Sequence, residues 1–176
     1  ELLSLQKSKD KLACHDELQF QIIHQVSELW MKLCLFTFDE IKVLLVEDKP
    51  IQAHTLFNRC HFAINLLSHQ LSILNTMSPS DYHLIRTQLG KGSGQESPGF
   101  NQILEAGPTL WAPFIDLMKR KKTSVFELHD KPNAHPDLFL IAEDMFTLDE
   151  IFLNFRYLHL QLVRRIIGGD VPSLKG

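Results

Sequence analysis

Apolar residues recur at three- and four-residue steps along most of the chain, which is the spacing of one face of an α-helix. The clearest pattern predicts an amphipathic helix from these residues: Leu18, Ile22, Val26, Leu29, Leu33 and Phe36. A second long helix is predicted over 51–76, with these side chains facing inward: Phe57, Phe62, Leu66, Leu67, Leu71 and Leu74. No alternating strand pattern of useful length is present, so the predicted fold class is all-α.

Caps and breakers predict where helices begin and end. Ser78 and Pro79 are typical of an N-cap followed by the first helical position. The Gly/Ser-rich stretch "GKGSGQESPG" then interrupts the pattern and predicts either a linker or a shaped loop that lets backbone approach a ligand. A shorter helix is predicted over 109–121, and "HDKPNAHPD" is predicted to be a loop. Gly168 and Gly169 are predicted to end the last helix.

The last helix carries a histidine in an apolar stripe, which predicts that His159 lies on the buried face. The stripe consists of Met145, Leu148, Phe152, Phe155, His159, Leu162 and Ile166. A buried imidazole costs free energy unless its nitrogens find partners, and a core histidine with such partners is the commoner case. The alternative is a heme slot, in which one nitrogen binds iron and Arg156, one turn earlier, reaches a propionate.

Composition narrows the classes of partner. The 176 residues carry a formal net charge of −3 without a clustered basic face, which argues against nucleic acid. No segment approaches the roughly 20 apolar residues of a membrane span. Cys14, Cys34 and Cys60 are widely spaced, which argues against a disulfide framework and favours a cytoplasmic location. The chain begins without Met and stops at "SLKG", so we expect flanking sequence to be missing.

The remaining histidines show no close metal-ligand spacing, which argues against a zinc hydrolase. The predicted second helix carries His54, His61 and His69, which we interpret as surface side chains or side chains with satisfied hydrogen bonds. His129 and His135 flank a loop and are predicted to be solvated.

Two pairs spaced by four residues could form a ligand site. Phe20 and His24 present an aromatic ring beside an imidazole, either as ordinary packing or as the wall of an aromatic pocket. Tyr82 and Arg86 place a phenol beside a guanidinium, either as a surface stack or as a grip on a carboxylate. Each pair is weak evidence by itself.

Three stretches together resemble the tryptophan 2,3-dioxygenase family of heme-dependent aromatic oxygenases. They are "HDELQFQIIHQVSELWMKL" at 15–33, "MSPSDYHLIRTQLGKGSGQES" at 77–97 and "FRYLHLQLVRRIIG" at 155–168. They follow the family's order and cover about a third of the chain. The resemblance implies a single helical heme-binding oxygenase domain over 1–176, in which a bundle encloses a heme b pocket. It also implies an aromatic amino-acid substrate, dioxygen as co-substrate, and a homo-oligomer, either a dimer or a tetramer.

The resemblance also implies a role for each candidate residue. His159 would be the axial ligand of the heme iron, and Arg156 would contact the cofactor. His24 would be the catalytic residue on the distal side and would hydrogen-bond a polar ring atom of the substrate. The other substrate-binding residues would be Phe20, Tyr82, Arg86, Ser93 and Gly94. The implied reaction inserts both oxygen atoms of dioxygen across the indole C2–C3 bond and gives N-formylkynurenine.

Two departures from the family leave other functions open. The chain is shorter than the dioxygenases between the Ser-Gly loop and the last helix. After "RIIGG" it reads "DVPSLKG", where those enzymes carry a Gly- and Ser-rich loop that contacts the substrate ammonium. The alternatives are a heme-dependent monooxygenase of a substituted tryptophan or of tyrosine, a non-catalytic heme sensor or carrier, and a helical interaction module without heme.

Overall fold

The computed structural model describes residues 1–89 and 97–168, and the regular structure within them is entirely helical. The all-α prediction is therefore confirmed. The α-helices are α1 (Glu17–Val46), α2 (Pro50–Leu74), α3 (Pro79–Gln88), α4 (Pro98–Ala106), α5 (Trp111–Arg120), α6 (Val125–Asp130) and α7 (Pro136–Ile167). Short 3-10 helices occupy Leu2–Ser4, Lys9–Lys11, Gly107–Leu110 and Pro132–Ala134.

The three long helices α1, α2 and α7 form the body of the fold. A tight turn joins α1 to α2, and its Asp48 adopts the left-handed conformation with φ 59°. Arg120 at the end of α5 caps the C-terminus of α1, because its guanidinium donates to the carbonyl of Leu45 at 2.8 Å. The central helix α2 packs along both α1 and α7, whereas α1 and α7 make few direct backbone contacts in the described residues. Helix α2 therefore keeps α1 and α7 apart, and the smaller helices α3 and α4 lie beside the space between α1 and α7.

The apolar stripe predicted for the first helix is not its buried face. Leu18, Ile22, Leu29 and Phe36 are exposed, and Val26 and Leu33 are only half-buried. The core is instead built from the following side chains of α1: Ile23, Met31, Cys34, Phe38, Ile41 and Leu45. The reason is that α1 is apolar on more than one face, so periodicity fits two stripes and cannot choose between them.

The second helix shows the same ambiguity at two positions. Phe57, Leu67, Leu71 and Leu74 are buried as predicted. Phe62 is 73% exposed and Leu66 is 43% exposed, so the prediction that they face inward was wrong. The outer surface of α1 and α2 therefore carries large apolar side chains that no described residue covers.

Most helix boundaries follow the predicted signals. The Ser78 hydroxyl accepts a hydrogen bond from the Asp81 amide at 3.0 Å, and α3 begins at Pro79. Gly168 ends α7 with φ 94°, a conformation that glycine adopts without strain. Gly169, the other predicted stop, lies outside the described residues.

Two segments depart from the predicted boundaries. Part of the Gly/Ser-rich stretch is helical, because α4 starts at Pro98 after an N-cap serine, Ser97. The predicted loop at 129–137 also contains the end of α6 and a 3-10 turn. Both elements are short, and their capping residues are of the types that are also common in loops.

The three cysteines are free thiols in the structure, with Cys34 and Cys60 buried and Cys14 half-buried. None of the helices in the described residues is long and apolar enough to cross a bilayer. The cytoplasmic location stays a prediction.

Candidate functional site

His24 lies in the second turn of α1 with the ring of Phe20 beside it. The two ring centroids are 4.1 Å apart, and the Nδ1 atom of His24 lies 2.7 Å from the backbone carbonyl of Phe20. A carbonyl oxygen only accepts, so Nδ1 carries the hydrogen and donates it. The neutral ring then leaves Nε2 as an acceptor that can meet an N–H or O–H group of a ligand.

The environment favours this neutral form of His24. Its ring is solvent-accessible, yet desolvation by the surrounding protein lowers its pKa, against the opposing effects of the Phe20 carbonyl and the Glu28 carboxylate. A side chain that solvent reaches and that protein nevertheless surrounds is typical of the lining of a concave surface.

The predicted pair on α3 lies beside Phe20. Tyr82 is half-buried, and its ring centroid is 6.1 Å from that of Phe20. Burial raises the pKa of Tyr82, while the nearby positive charge of Arg86 opposes the rise. Arg86 is also half-buried. The structure therefore groups a phenol and a guanidinium with the Phe20 and His24 rings.

His159 lies on α7 and is half-buried rather than buried. His159 therefore lies on the predicted buried face, where most of the stripe is buried, but its own side chain is only partly covered. Burial lowers the pKa of His159, and the nearby His24 ring lowers it further, so the two imidazoles lie within electrostatic range of each other. No hydrogen bond joins the His159 ring to a described residue. A neutral imidazole without a protein partner is suited to coordinate a metal ion.

An aromatic cluster, which the sequence analysis did not identify as a unit, adjoins His159. The Phe155 ring centroid is 6.3 Å from that of His159. The ring of Phe100 on α4 packs against Phe152 at 5.7 Å and against Phe155 at 6.5 Å. Phe152 and Phe155 were part of the predicted stripe, but Phe100 comes from a helix that the pattern did not predict.

Three other candidate residues receive less support from the structure. Arg156 is exposed on α7. Ser93 and Gly94 lie outside the described residues. Their assignments stay predictions.

A second group of histidines joins α2 to α7. The Nδ1 atom of His54 lies 2.7 Å from a carboxylate oxygen of the buried Asp144. The Nε2 atom of His61 lies 2.9 Å from the Asp144 carbonyl oxygen. His69 is exposed. The interpretation of these three histidines as surface or satisfied side chains is confirmed, and no cluster suited to a metal ion is found among the described residues.

Comparison with known proteins identifies one family. A sequence profile described as Tryptophan 2,3-dioxygenase matches residues 1–106, a range that contains α1, α3 and α4 but not α7. A tryptophan 2,3-dioxygenase of Erythrobacter litoralis is 28% identical over 220 residues, which cover 92% of this chain and 84% of that protein. A protein of the same name from Burkholderia mallei is 28% identical over 204 residues, which cover 88% of this chain and 67% of that protein.

These alignments add two points about the chain. The first alignment covers 92% of this chain, and the residues left over are too few to reach from the C-terminus back to His159. The aligned span therefore includes His159 and extends into α7. Both spans also exceed the 176 residues of this chain. The relatives therefore contain internal segments that have no counterpart here.

Proposed function

Because the chain belongs to the tryptophan 2,3-dioxygenase family, we propose that it is a heme-dependent oxygenase of the indole ring of L-tryptophan or a close analogue. The observation that carries the proposal is that the Phe20 ring lies against both the His24 imidazole on α1 and the Tyr82 ring on α3, at centroid distances of 4.1 Å and 6.1 Å. The Phe20 ring lies beside His24, and the Arg86 guanidinium lies near Tyr82. An aromatic wall and a guanidinium are the groups needed to hold an aromatic amino acid.

The residues around His159 fit a heme group. The half-buried imidazole has no hydrogen bond to a described residue, and its lowered pKa favours the neutral form that coordinates iron. Phe155 gives it an apolar neighbour, as a porphyrin face requires. His159 would hold the iron, and Arg156 is the candidate contact for a propionate. Heme supplies, when bound, the dioxygen chemistry of the reaction.

His24 would bind and orient the substrate. Its Nδ1–H is held by the Phe20 carbonyl, so the neutral ring offers Nε2 as an acceptor to the indole N–H. A protonated His24 could not accept that hydrogen bond. The lowered pKa of His24 therefore keeps the ring in the binding form at neutral pH.

The two remaining groups would fix the other end of the amino acid. Arg86 is suited to a two-point hydrogen bond with the carboxylate, and the phenol of Tyr82 lies near its charge. The Phe20 ring would form the wall for the indole. Holding the substrate by the carboxylate and the indole N–H limits its rotation, and orientation of this kind contributes several kcal/mol, on the order of tenfold in rate for each 1.4 kcal/mol.

An optical titration tests this function. The protein is reconstituted with heme, reduced without oxygen, titrated with L-tryptophan and then exposed to dioxygen. We expect a Soret band that shifts with tryptophan, followed by the absorbance of N-formylkynurenine. A hydroxylated product, or a response only to substituted indoles or tyrosine, would favour the monooxygenase alternative. A heme band that no aromatic amino acid changes would favour a non-catalytic heme protein, and failure to bind stoichiometric heme would contradict the proposal.

We also propose that the protein is a homo-oligomer. The exposed apolar side chains of α1 and α2, among them Phe36, Phe62 and Leu66, form a surface of the kind that a partner subunit covers. Light scattering of the purified protein should give a mass of at least a dimer. The Phe62→Glu variant should lower that mass, whereas the control Phe126→Glu, at an exposed phenylalanine of α6, should not.

A further inference from the structure

The N-terminus of α4 is held by one carboxylate of α1. The Ser97 hydroxyl donates to Oε1 of Glu28, and the Gly99 amide donates to Oε2 of the same residue at 3.0 Å. The Ser97 hydroxyl also accepts from the Phe100 amide at 3.1 Å. One oxygen of Glu28 therefore accepts from a first-turn amide, which has no partner within its own helix, and the other oxygen holds the N-cap serine.

The contact between α4 and α1 leaves no space for a larger side chain. A Cβ atom added at Gly99 would lie 2.7 Å from Oε2 of Glu28 and 2.9 Å from Cβ of Met31. Gly99 is therefore the residue that permits this close approach, and the carboxylate of Glu28 sets where α4 starts.

The same helix reaches the opposite side of the candidate site. Phe100 follows Gly99, and its ring packs on Phe152 and Phe155 of α7. The Phe155 ring is the neighbour of His159. Because α1 and α7 make few direct contacts, α4 acts as a spacer between the helices that carry the two imidazoles.

We propose that Glu28 is a positioning residue that anchors α4 to α1 and thereby places Phe100 between the helices of His24 and His159. Glu28 lies one helical turn beyond His24, so its hydrogen bonds fix α4 next to the imidazole that would bind the substrate. It touches neither substrate nor cofactor in this scheme. The proposal rests on the proposed function only for the identity of the ligand, because the anchor itself is a property of the protein alone.

The first test uses Glu28→Gln in the heme-reconstituted protein. The amide keeps the shape of the side chain but replaces one of the two acceptor oxygens with a donor group. We expect stoichiometric heme, and an increase on the order of tenfold in the dissociation constant for L-tryptophan measured from the Soret shift. The matched control is Glu40→Gln, at an exposed glutamate of the same helix. In turnover assays the change should appear mainly in KM rather than in kcat.

A second variant and a second readout separate positioning from simple loss of stability. Ser97→Ala removes one hydrogen bond to Glu28 and the acceptor of the Phe100 amide, while the carboxylate still accepts from the Gly99 amide. It should weaken tryptophan binding in the same direction but less. Hydrogen exchange of the Gly99 amide, which donates to Glu28, is measured without heme and should be faster in both variants than in the wild type and the control.

Two results would overturn the proposal. One is unchanged amide exchange in Glu28→Gln, with or without heme. The other is faster exchange and a lower melting temperature with unchanged tryptophan affinity, which would leave Glu28 a purely structural role. If the wild type itself fails to bind heme or tryptophan, the proposed function fails, while the exchange measurement still decides whether Glu28 anchors α4.

Discussion

Two groups of histidines cross between helices in this protein, and they differ in what their nitrogens contact. In the first group, His54 of α2 contacts the carboxylate of Asp144, and His61 of α2 contacts the backbone carbonyl of the same residue. In the second group, His24 has one hydrogen bond to its own helix and His159 has none among the described residues. Enclosure by the protein does not separate the two groups, whereas the partner does: His54 and His61 each contact another helix through Asp144, His24 contacts only its own helix, and His159 contacts no described residue through a hydrogen bond.

Burial also changes the pKa of one ionisable group beside the first histidines and of both histidines in the second group. Burial raises the pKa of Asp144, and its hydrogen bond with His54 opposes the rise. No carboxylate of the described residues is hydrogen-bonded to His24 or His159. Burial lowers the pKa of both imidazoles and favours their neutral forms.

Replacing His159 with Ala should have the largest effect. We expect at least a tenfold loss of heme affinity, because the iron loses its only predicted protein ligand. The apo protein should lose on the order of 1 kcal/mol of stability or less, since the removed ring is half-buried and makes no hydrogen bond. Heme titration and urea unfolding measure the two quantities.

His61→Ala is the matched control for that experiment. It removes a half-buried imidazole of α2 that contacts the Asp144 carbonyl and therefore has a structural role. The variant should bind heme with the affinity of the wild type. Equal loss of heme in both variants would show that the distinction between the two histidine groups is wrong.

Asp144→Ala should give the next largest effect, and on stability rather than on heme. The substitution leaves His54 Nδ1 without its partner at the interface of α2 and α7, which costs about 1–3 kcal/mol. Urea unfolding measures the loss, and heme titration of the folded variant should give the wild-type stoichiometry. A stable Asp144→Ala protein that binds heme poorly would place this cluster in the functional site.

The elements and caps of the fold could be predicted from the sequence because they depend on neighbouring residues. The Ser78 cap and the end of α7 at Gly168 are local signals, and both occur as predicted. The buried face of α1 could not be predicted, because the choice between two apolar stripes is made by the helices that pack against it. The α4 helix was missed, although its Ser97–Pro98 start repeats the Ser78–Pro79 signal.

In the candidate site, too, local contacts could be predicted from the sequence and contacts between distant helices could not. The pairs Phe20/His24 and Tyr82/Arg86 follow from four-residue spacing on one helix, and the structure keeps each pair together. The approach of His24 to His159 depends on how α2 and α4 separate distant helices, and no local pattern contains it. The contact of Asp144 with His54 has the same tertiary origin.

A smaller effect is expected in the pH dependence of stability at His24. Its pKa in the folded protein is lowered from the ordinary value of 6.5, so between these values the unfolded chain binds more protons. The stability that the neutral ring contributes is therefore present above about pH 6.5 and is lost as the pH falls through the lower, folded pKa. The His24→Leu variant should show a flatter decline on acidification, measured by urea unfolding across that range.

The exposed His69 gives the control for this measurement through His69→Leu. If His24→Leu and His69→Leu have the same pH profile as the wild type, His24 does not lose protons on folding. The argument that it meets a ligand as a neutral acceptor would then fail.

The smallest predicted effect tests whether both nitrogens of His54 are satisfied. The Asn58 side-chain amide lies 3.1 Å from Nε2 of His54 and donates to it when Nδ1 carries the hydrogen toward Asp144. Asn58→Ala should therefore cost about 0.5–1.5 kcal/mol of unfolding free energy, because it removes one such hydrogen bond and keeps the Asp144 contact. Urea unfolding measures this against Gln52→Ala, at an exposed position of the same helix. A loss as large as that of Asp144→Ala would mean that the amide, rather than the carboxylate, holds His54 in place.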